Sequence, residues 1–170
     1  MATPTTLPAA FVSGAILTAD QMNNLRGAFR VLQVVTSTAT ANIQNNTSTY
    51  VNTGLSVTIT PTSNTSKILI FGSHAGLAKN NTNLNAASST KLVRGSTDIL
   101  LISQGILYTA TNVYQVQSES FNFLDSPATT SATTYKTMFN SVNNNDGIIV
   151  QINIGGGNPT STITAMEISA

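Results

Sequence analysis

The side chains of this chain that could carry out chemistry are few and widely spaced. Among its 170 residues there is one histidine, His74, and no cysteine. One histidine without thiolates cannot form the usual metal site of three or four protein ligands within one chain, so we expect no metal and no cofactor. Because His74 ends a strongly apolar run, we interpret it as a hydrogen-bonded histidine in the core or an interface. A ligand set shared by three copies on a trimer axis is the alternative.

Five of the six carboxylates lie in the second half of the sequence, without a motif that links them: Asp98, Glu119, Asp125, Asp146 and Glu167. Catalytic carboxylate pairs lie about 5–10 Å apart across a substrate, and no spacing here predicts such a pair. Asp125 precedes Ser126-Pro127, a pattern typical of a turn. Asp146 precedes Gly147, a pattern typical of a hairpin. Glu167 alternates with apolar neighbours, which predicts that it faces solvent or a partner's basic residue, and we expect that the protein is not an enzyme.

Polar loops on a β-scaffold leave carbohydrate recognition as an alternative function. Loops rich in Asn, Ser and Thr can hydrogen-bond sugar hydroxyls, and an exposed aromatic ring can stack on a sugar. The candidate glycan contacts are the four tyrosines: Tyr50, Tyr108, Tyr114 and Tyr135. The same loop composition is typical of inert surface, so both interpretations stay open.

The charge of the chain is low, and this favours assembly over catalysis. Only 8% of the residues are charged, against about 25% in an ordinary soluble domain, while 41% are hydrophobic. A β-rich chain with so little charge has little electrostatic protection against self-association. The net charge is +1 and no basic run exists, so we expect no nucleic-acid partner. The apolar runs are too short to span a bilayer, so we expect no membrane insertion.

The pattern of the first 28 residues predicts an extended arm followed by one short helix. We treat these 28 residues together as an attachment segment. Pro4 and Pro8 favour an extended start, and Thr18 with Gln21 forms a capping-box pattern. The predicted helix covers residues 19–26. Because a helix of two turns is not stable alone, it must pack against another part of the chain or against another protein. It either caps its own β-domain or anchors the chain to a neighbouring subunit or a larger particle. The anchoring residues would be Phe11, Leu17, Met22, Leu25 and Phe29.

Residues 29–170 predict one β-domain, because the hydrophobic period changes to two. Strand-like runs lie at 29–35, 53–59, 67–74, 90–94, 98–103, 113–124, 134–142, 148–154 and 161–169. The run at 67–74 is apolar on both faces and is predicted to be central. The tripeptide Asn145-Asp146-Gly147 predicts a hairpin before residue 148. Eight to ten short strands with turns between them predict a mainly β fold, an antiparallel β-sandwich of the jelly-roll kind or a barrel, with the strand order open.

Two stretches resemble known proteins. Residues 11–29 (FVSGAILTADQMNNLRGAF) resemble the N-terminal attachment segments of bacteriophage tail-fibre and other virion appendage proteins. The resemblance lies in Gly14, Leu17, Thr18, Ala19, Met22 and Asn23. Residues 124–139 and 161–170 are similar to the terminal β-domain of phage structural proteins.

The resemblance implies a virion structural protein, built as a homotrimer of sandwiches similar to the jelly rolls of tumour necrosis factor and complement C1q. Its partners would be further copies of itself and the major capsid protein or other virion proteins. Its location would be the virion, assembled in the host cytoplasm and exposed on the particle surface. Because the chain has no fibre shaft, a capsid decoration (cement) protein or a short knob is favoured. The alternative is a tail-fibre or receptor-binding tip that recognises a host surface glycan.

Overall fold

The computed structural model describes residues 30–80, 85–143, 147–157 and 159–169, with the single positions 14, 16, 18 and 19. The predicted arm, most of the predicted helix and the five anchoring residues therefore lie outside the described residues. No helix in this part of the chain is long and apolar enough to cross a membrane. Ten β-strands follow in order: β1 (Val31–Ala39), β2 (Ile43–Asn45), β3 (Val51–Ile59), β4 (Lys67–Lys79), β5 (Ser88–Arg94), β6 (Thr97–Ile106), β7 (Gln115–Asp125), β8 (Thr133–Ser141), β9 (Ile148–Val150) and β10 (Ser161–Ile168).

The strands form two antiparallel sheets, which confirms the predicted sandwich. In the first sheet β10 lies between β1 and β4, and β7 pairs with the other edge of β4. The short strands β2 and β9 pair with each other, and β9 continues along the β10 edge of β4. The second sheet has the order β3-β8-β5-β6. The strand predicted from residues 67–74 is therefore central, and it extends to Lys79.

The strand pairs are nested along the chain, which is the topology of a jelly roll. β1 pairs with β10, β3 with β8, β4 with β7 and β5 with β6, all antiparallel. A long hairpin that folds over on itself produces this order, with its strands divided between two facing sheets. The jelly-roll expectation is confirmed, and the strand order that the sequence left open is now defined.

The two-residue period of the strands determines which side chains form the core. Alternate side chains of β3, β4 and β10 point between the sheets and are fully or almost fully buried: Leu55, Val57, Ile59, Ile68, Ile70, Ile163 and Ala165. A second buried cluster forms nearer the Lys79 end of β4 from Leu77, Ala86, Leu107, Phe139, Ile148 and Val150. Because each inner residue is followed by an outer one, burial of these side chains also determines which residues face outward.

The predicted hairpin between β8 and β9 is wrong. β8 lies in the second sheet, whereas β9 pairs with β2 and β4 in the first, so the chain crosses between the sheets here. Turn residues favour a reversal of the chain but do not specify its pairing partner, and β9 is apolar on both faces and buried. Asn145 and Asp146 themselves lie outside the described residues. The sequence also missed β2, whose three residues are too few to show a period.

Asp125 is not a solvent-facing turn residue but a buried link between the sheets. Nη1 of Arg94, at the end of β5, lies 2.8 Å from each carboxylate oxygen of Asp125, at the end of β7. The hydroxyl of Tyr135 in β8 donates to Oδ2 of Asp125 at 2.6 Å. Burial and the hydrogen bond to Asp125 raise the pKa of Tyr135, so its hydroxyl stays a donor. One carboxylate of the first sheet is thus held by two strands of the second.

We expect Tyr135→Phe to lower the free energy of unfolding by about 1–2 kcal/mol, because the buried carboxylate loses a donor. Urea unfolding followed by circular dichroism measures this. The matched control is Tyr108→Phe, which removes the same hydroxyl from an exposed ring. Equal stability losses in the two variants would contradict the role of the Asp125 link.

Candidate functional site

The outer face of the first sheet carries a row of apolar side chains across four strands. The register places Val34 opposite Met166, Met166 opposite Leu69, and Leu69 opposite Leu124. Directly opposite residues share one face of a sheet. The chain neighbours of Met166 and Leu69 are buried in the interior, so this row points outward. Val34 and Leu124 are each 54% exposed, which leaves the ends of the row open to solvent.

Apolar residues continue on both sides of this row. Val31 lies opposite Ile168 on one side, and Phe71 lies in the next row on the other, between Thr164 and Asn122. We call this set the apolar face: Val31, Val34, Leu69, Phe71, Leu124, Met166 and Ile168. With strands about 4.8 Å apart and rows about 7 Å apart, it covers roughly 300–400 Å². That is the size of the largest apolar patch on a typical monomer, which is often functional.

His74 lies in the interior of the sandwich. It is fully buried, and its ring stacks on Phe121 with the centroids 5.9 Å apart. Neither ring nitrogen has a hydrogen-bond partner in the part of the chain that the structure describes, so the expected hydrogen bond is a wrong prediction. Burial lowers the pKa of His74 to about 4. A ring enclosed in this way cannot share a metal ion with other copies on a trimer axis.

The described carboxylates are individually bound to other side chains. Asp98 pairs with Lys91 at 2.8 Å, and Glu119 accepts a hydrogen bond of 2.6 Å from the Thr90 hydroxyl. Within the described ranges no group of three or more His, Asp and Glu side chains could hold a metal ion.

Glu167 does not face solvent, which corrects the sequence prediction. It is fully buried and accepts hydrogen bonds from the Gln33 amide at 2.6 Å and from the Thr62 hydroxyl and backbone N–H at 2.7 Å. Burial alone would raise the pKa of Glu167, but these hydrogen bonds lower it below its ordinary value. The carboxylate therefore stays ionised inside the fold.

The four candidate tyrosines differ in their exposure to solvent. Tyr135 is fully buried, so its expected glycan contact is a wrong prediction. Tyr50 is half-buried, with the Lys91 Nζ atom 4.0 Å from its ring centroid, beside a shallow pocket of about 320 Å³. Tyr108 and Tyr114 are 55% and 42% exposed, and both lie in the connection between β6 and β7. Of the four tyrosines, only these two are exposed, as stacking on a sugar requires.

A buried lysine beneath this connection was missed by sequence reasoning. Lys79 is fully buried at the end of β4. Its Nζ atom donates to the Thr109 carbonyl at 3.3 Å, to the Thr111 carbonyl at 3.4 Å and to the Thr109 hydroxyl. Burial lowers the pKa of Lys79. The only signal in the sequence is a lysine that follows a long apolar run.

Comparison with known proteins gives a likeness in structure. No protein-family model matches the chain, and no curated protein matches it in sequence. Among solved structures, the crystal structure of the infectious bursal disease virus VP2 subviral particle is similar, with a TM-score of 0.46 and 11% sequence identity. The alignment covers 95% of this chain, which spans 37% of the length of that one.

We expect the free energy of unfolding to fall as the pH is lowered from 6.5 to 4. The folded pKa of His74 is about 4 and its ordinary value is 6.5, so the unfolded chain binds the proton first in this window. The loss should approach about 3 kcal/mol, measured by urea unfolding at each pH. The control is His74→Phe, which removes the only histidine and should flatten this pH window. A variant that loses stability as steeply as the wild type would rule out His74 as the cause.

Proposed function

We propose that this chain is a structural protein of a bacteriophage virion, a homotrimer that acts as a capsid decoration protein or a short surface knob. The observation that carries this proposal is the apolar face. In the part of the chain that the structure describes, its side chains are exposed or half-buried, although it spans four hydrogen-bonded strands. A partner that covered this face would bury mostly apolar surface.

The energetics of the apolar face favour a permanent partner. Burial of roughly 300–400 Å² at about 25 cal/mol per Å² yields about 8–10 kcal/mol before the costs of association. A standard interface buries about 800 Å² on each partner, so the apolar face would form the centre of one, with its threonine-rich surroundings as the rim. The low charge of the chain offers little repulsion between copies.

The position of Arg30, where the described domain begins, supports particle attachment at the same end of the domain. The Arg30 N–H donates to the Ser169 hydroxyl, and the Ser169 N–H donates to the Arg30 carbonyl, both at 2.9 Å. These residues adjoin Val31 and Ile168, the border of the apolar face. Residues 1–28 therefore join the domain beside the proposed interface. In this proposal they bind the major capsid protein or another virion protein, and the β-domain remains on the particle surface.

A catalytic role has less support. The described carboxylates have hydrogen-bond or ionic partners of their own, and His74 is enclosed in the interior. A free carbohydrate-binding module would explain exposed tyrosines but would leave the apolar face without a role.

Light scattering should give about three times the mass of one chain, and Leu124→Asp should reduce it to one, because a buried charge opposes association. The matched control is Leu101→Asp on the second sheet, where Leu101 is 53% exposed and Leu124 54%. A wild-type monomer at micromolar concentration would contradict self-association. A Leu124→Asp variant that stays trimeric would contradict only the use of this face.

Deletion of residues 1–28 should leave the β-domain folded but absent from assembled particles, because the attachment segment is missing. Circular dichroism checks the fold, and gel analysis of purified particles checks incorporation. Normal occupancy of the truncated chain on particles would overturn the anchoring role.

A further inference from the structure

The two ends of the sandwich differ in what they carry. β4 runs from Lys67 to Lys79, a span of about 40 Å at the usual rise per residue. Arg30, the apolar face and the Asp125 link all lie toward the Lys67 end. The connection between β6 and β7 lies at the Lys79 end, where Lys79 donates to its backbone. This end is remote from the place where residues 1–28 join the domain.

The connection between β6 and β7 concentrates exposed aromatic and aliphatic side chains. Tyr108, Val113 and Tyr114 in the connection and Val116 at the start of β7 are all exposed and lie within nine residues of one another. No charged residue occurs from position 104 to position 118. Connections that carry exposed tyrosine among threonine and asparagine have the composition of binding loops, since tyrosine provides contact area at low entropic cost. Such a surface suits a neutral ligand with both apolar and hydroxyl-bearing sides.

The buried ammonium of Lys79 donates hydrogen bonds to the backbone of this connection. Within the described residues, the ammonium of Lys79 donates hydrogen bonds to Thr109 and Thr111 and has no carboxylate partner. The Thr109 hydroxyl also donates to the Thr111 carbonyl at 2.9 Å, and the Asn85 N–H donates to the Thr109 carbonyl at 3.0 Å. Burial of an ammonium group is costly even when the group is hydrogen-bonded, so a side chain needed only for packing would be apolar here.

Backbone strain at the start of the connection supports the same interpretation. Leu107 has a φ of 67°, which is unusual for a residue other than glycine, and its side chain is buried in the second core cluster. Strained positions persist where the surroundings overdetermine them, and they are frequent at binding sites. The core contact of Leu107 and the hydrogen bonds of Lys79 to Thr109 therefore hold the backbone on both sides of Tyr108.

We propose that residues 107–116 form a binding site for a neutral saccharide, with Tyr108 and Tyr114 as the stacking rings and Lys79 as a positioning residue. The C–H face of a sugar packs on a tyrosine ring, and its hydroxyls bond with the Tyr, Thr and Asn groups of the same segment. This inference goes beyond the structural role proposed above. It does not require the trimer, because the site and the apolar face lie toward opposite ends of the domain.

The test is binding of the full chain to an immobilised array of neutral hexose and N-acetylhexosamine oligosaccharides. Tyr108→Ala and Tyr114→Ala should each weaken binding about tenfold. The control is Ile154→Ser, which removes an exposed apolar side chain from the connection between β9 and β10 and should bind as the wild type does. A wild-type chain that binds no saccharide, or tyrosine variants that bind normally, would overturn the site.

The positioning role of Lys79 has its own readout. Lys79→Met keeps the volume but removes the donors, and Thr109→Val removes one acceptor if the first variant folds poorly. Both should lose saccharide affinity and show faster hydrogen exchange in residues 107–114, with exchange in the core strands and the oligomeric mass unchanged. Normal affinity in both variants would overturn the positioning role. A chain that binds saccharide but is monomeric would overturn the trimer alone.

Discussion

The register of β10 between β1 and β4 is the constraint on which both faces of the first sheet depend. A slip of one residue would move every side chain of β10 to the opposite face. In the observed register Ile163 and Ala165 are buried, and Met166 lies between Val34 and Leu69. The buried carboxylate of Glu167 stabilises this register, because its hydrogen-bond donor Gln33 is its partner across the strands. A buried ionised group thus contributes specificity as well as free energy.

Local patterns predicted the strands well, and the partners of those strands poorly. Alternation of apolar and polar residues located nearly every strand, and the apolar run at residues 67–74 identified the central one. The nested pairing could not be read in this way, because β1 meets β10 across more than a hundred residues of intervening chain. The same limit explains the wrong hairpin: turn residues describe a reversal, whereas the partner of β9 is chosen by burial against β2 and β4.

Prediction of the site failed where exposure depends on distant contacts. Tyr135 and Tyr108 are the same residue type in similar polar surroundings, yet one is enclosed between the sheets and the other is open. Asp125 precedes a serine and a proline as a turn residue would, but Arg94 and Tyr135 come to it through strand pairing. Leu69 belongs to a run that is apolar on both faces. Such a run predicts two covering layers, and the described part of the chain supplies only one of them.

The positions of the charged residues lower the number of charges on the surface further. The chain has few ionisable residues, and Lys79, Asp125 and Glu167 lie inside it. The surface therefore carries even fewer charged groups than the composition indicates. Hydroxyl and amide groups provide most of its polar contact with water. Neutral polar groups hydrate a surface without repelling another copy. In the proposed assembly, the apolar face would therefore meet little charge repulsion from another copy.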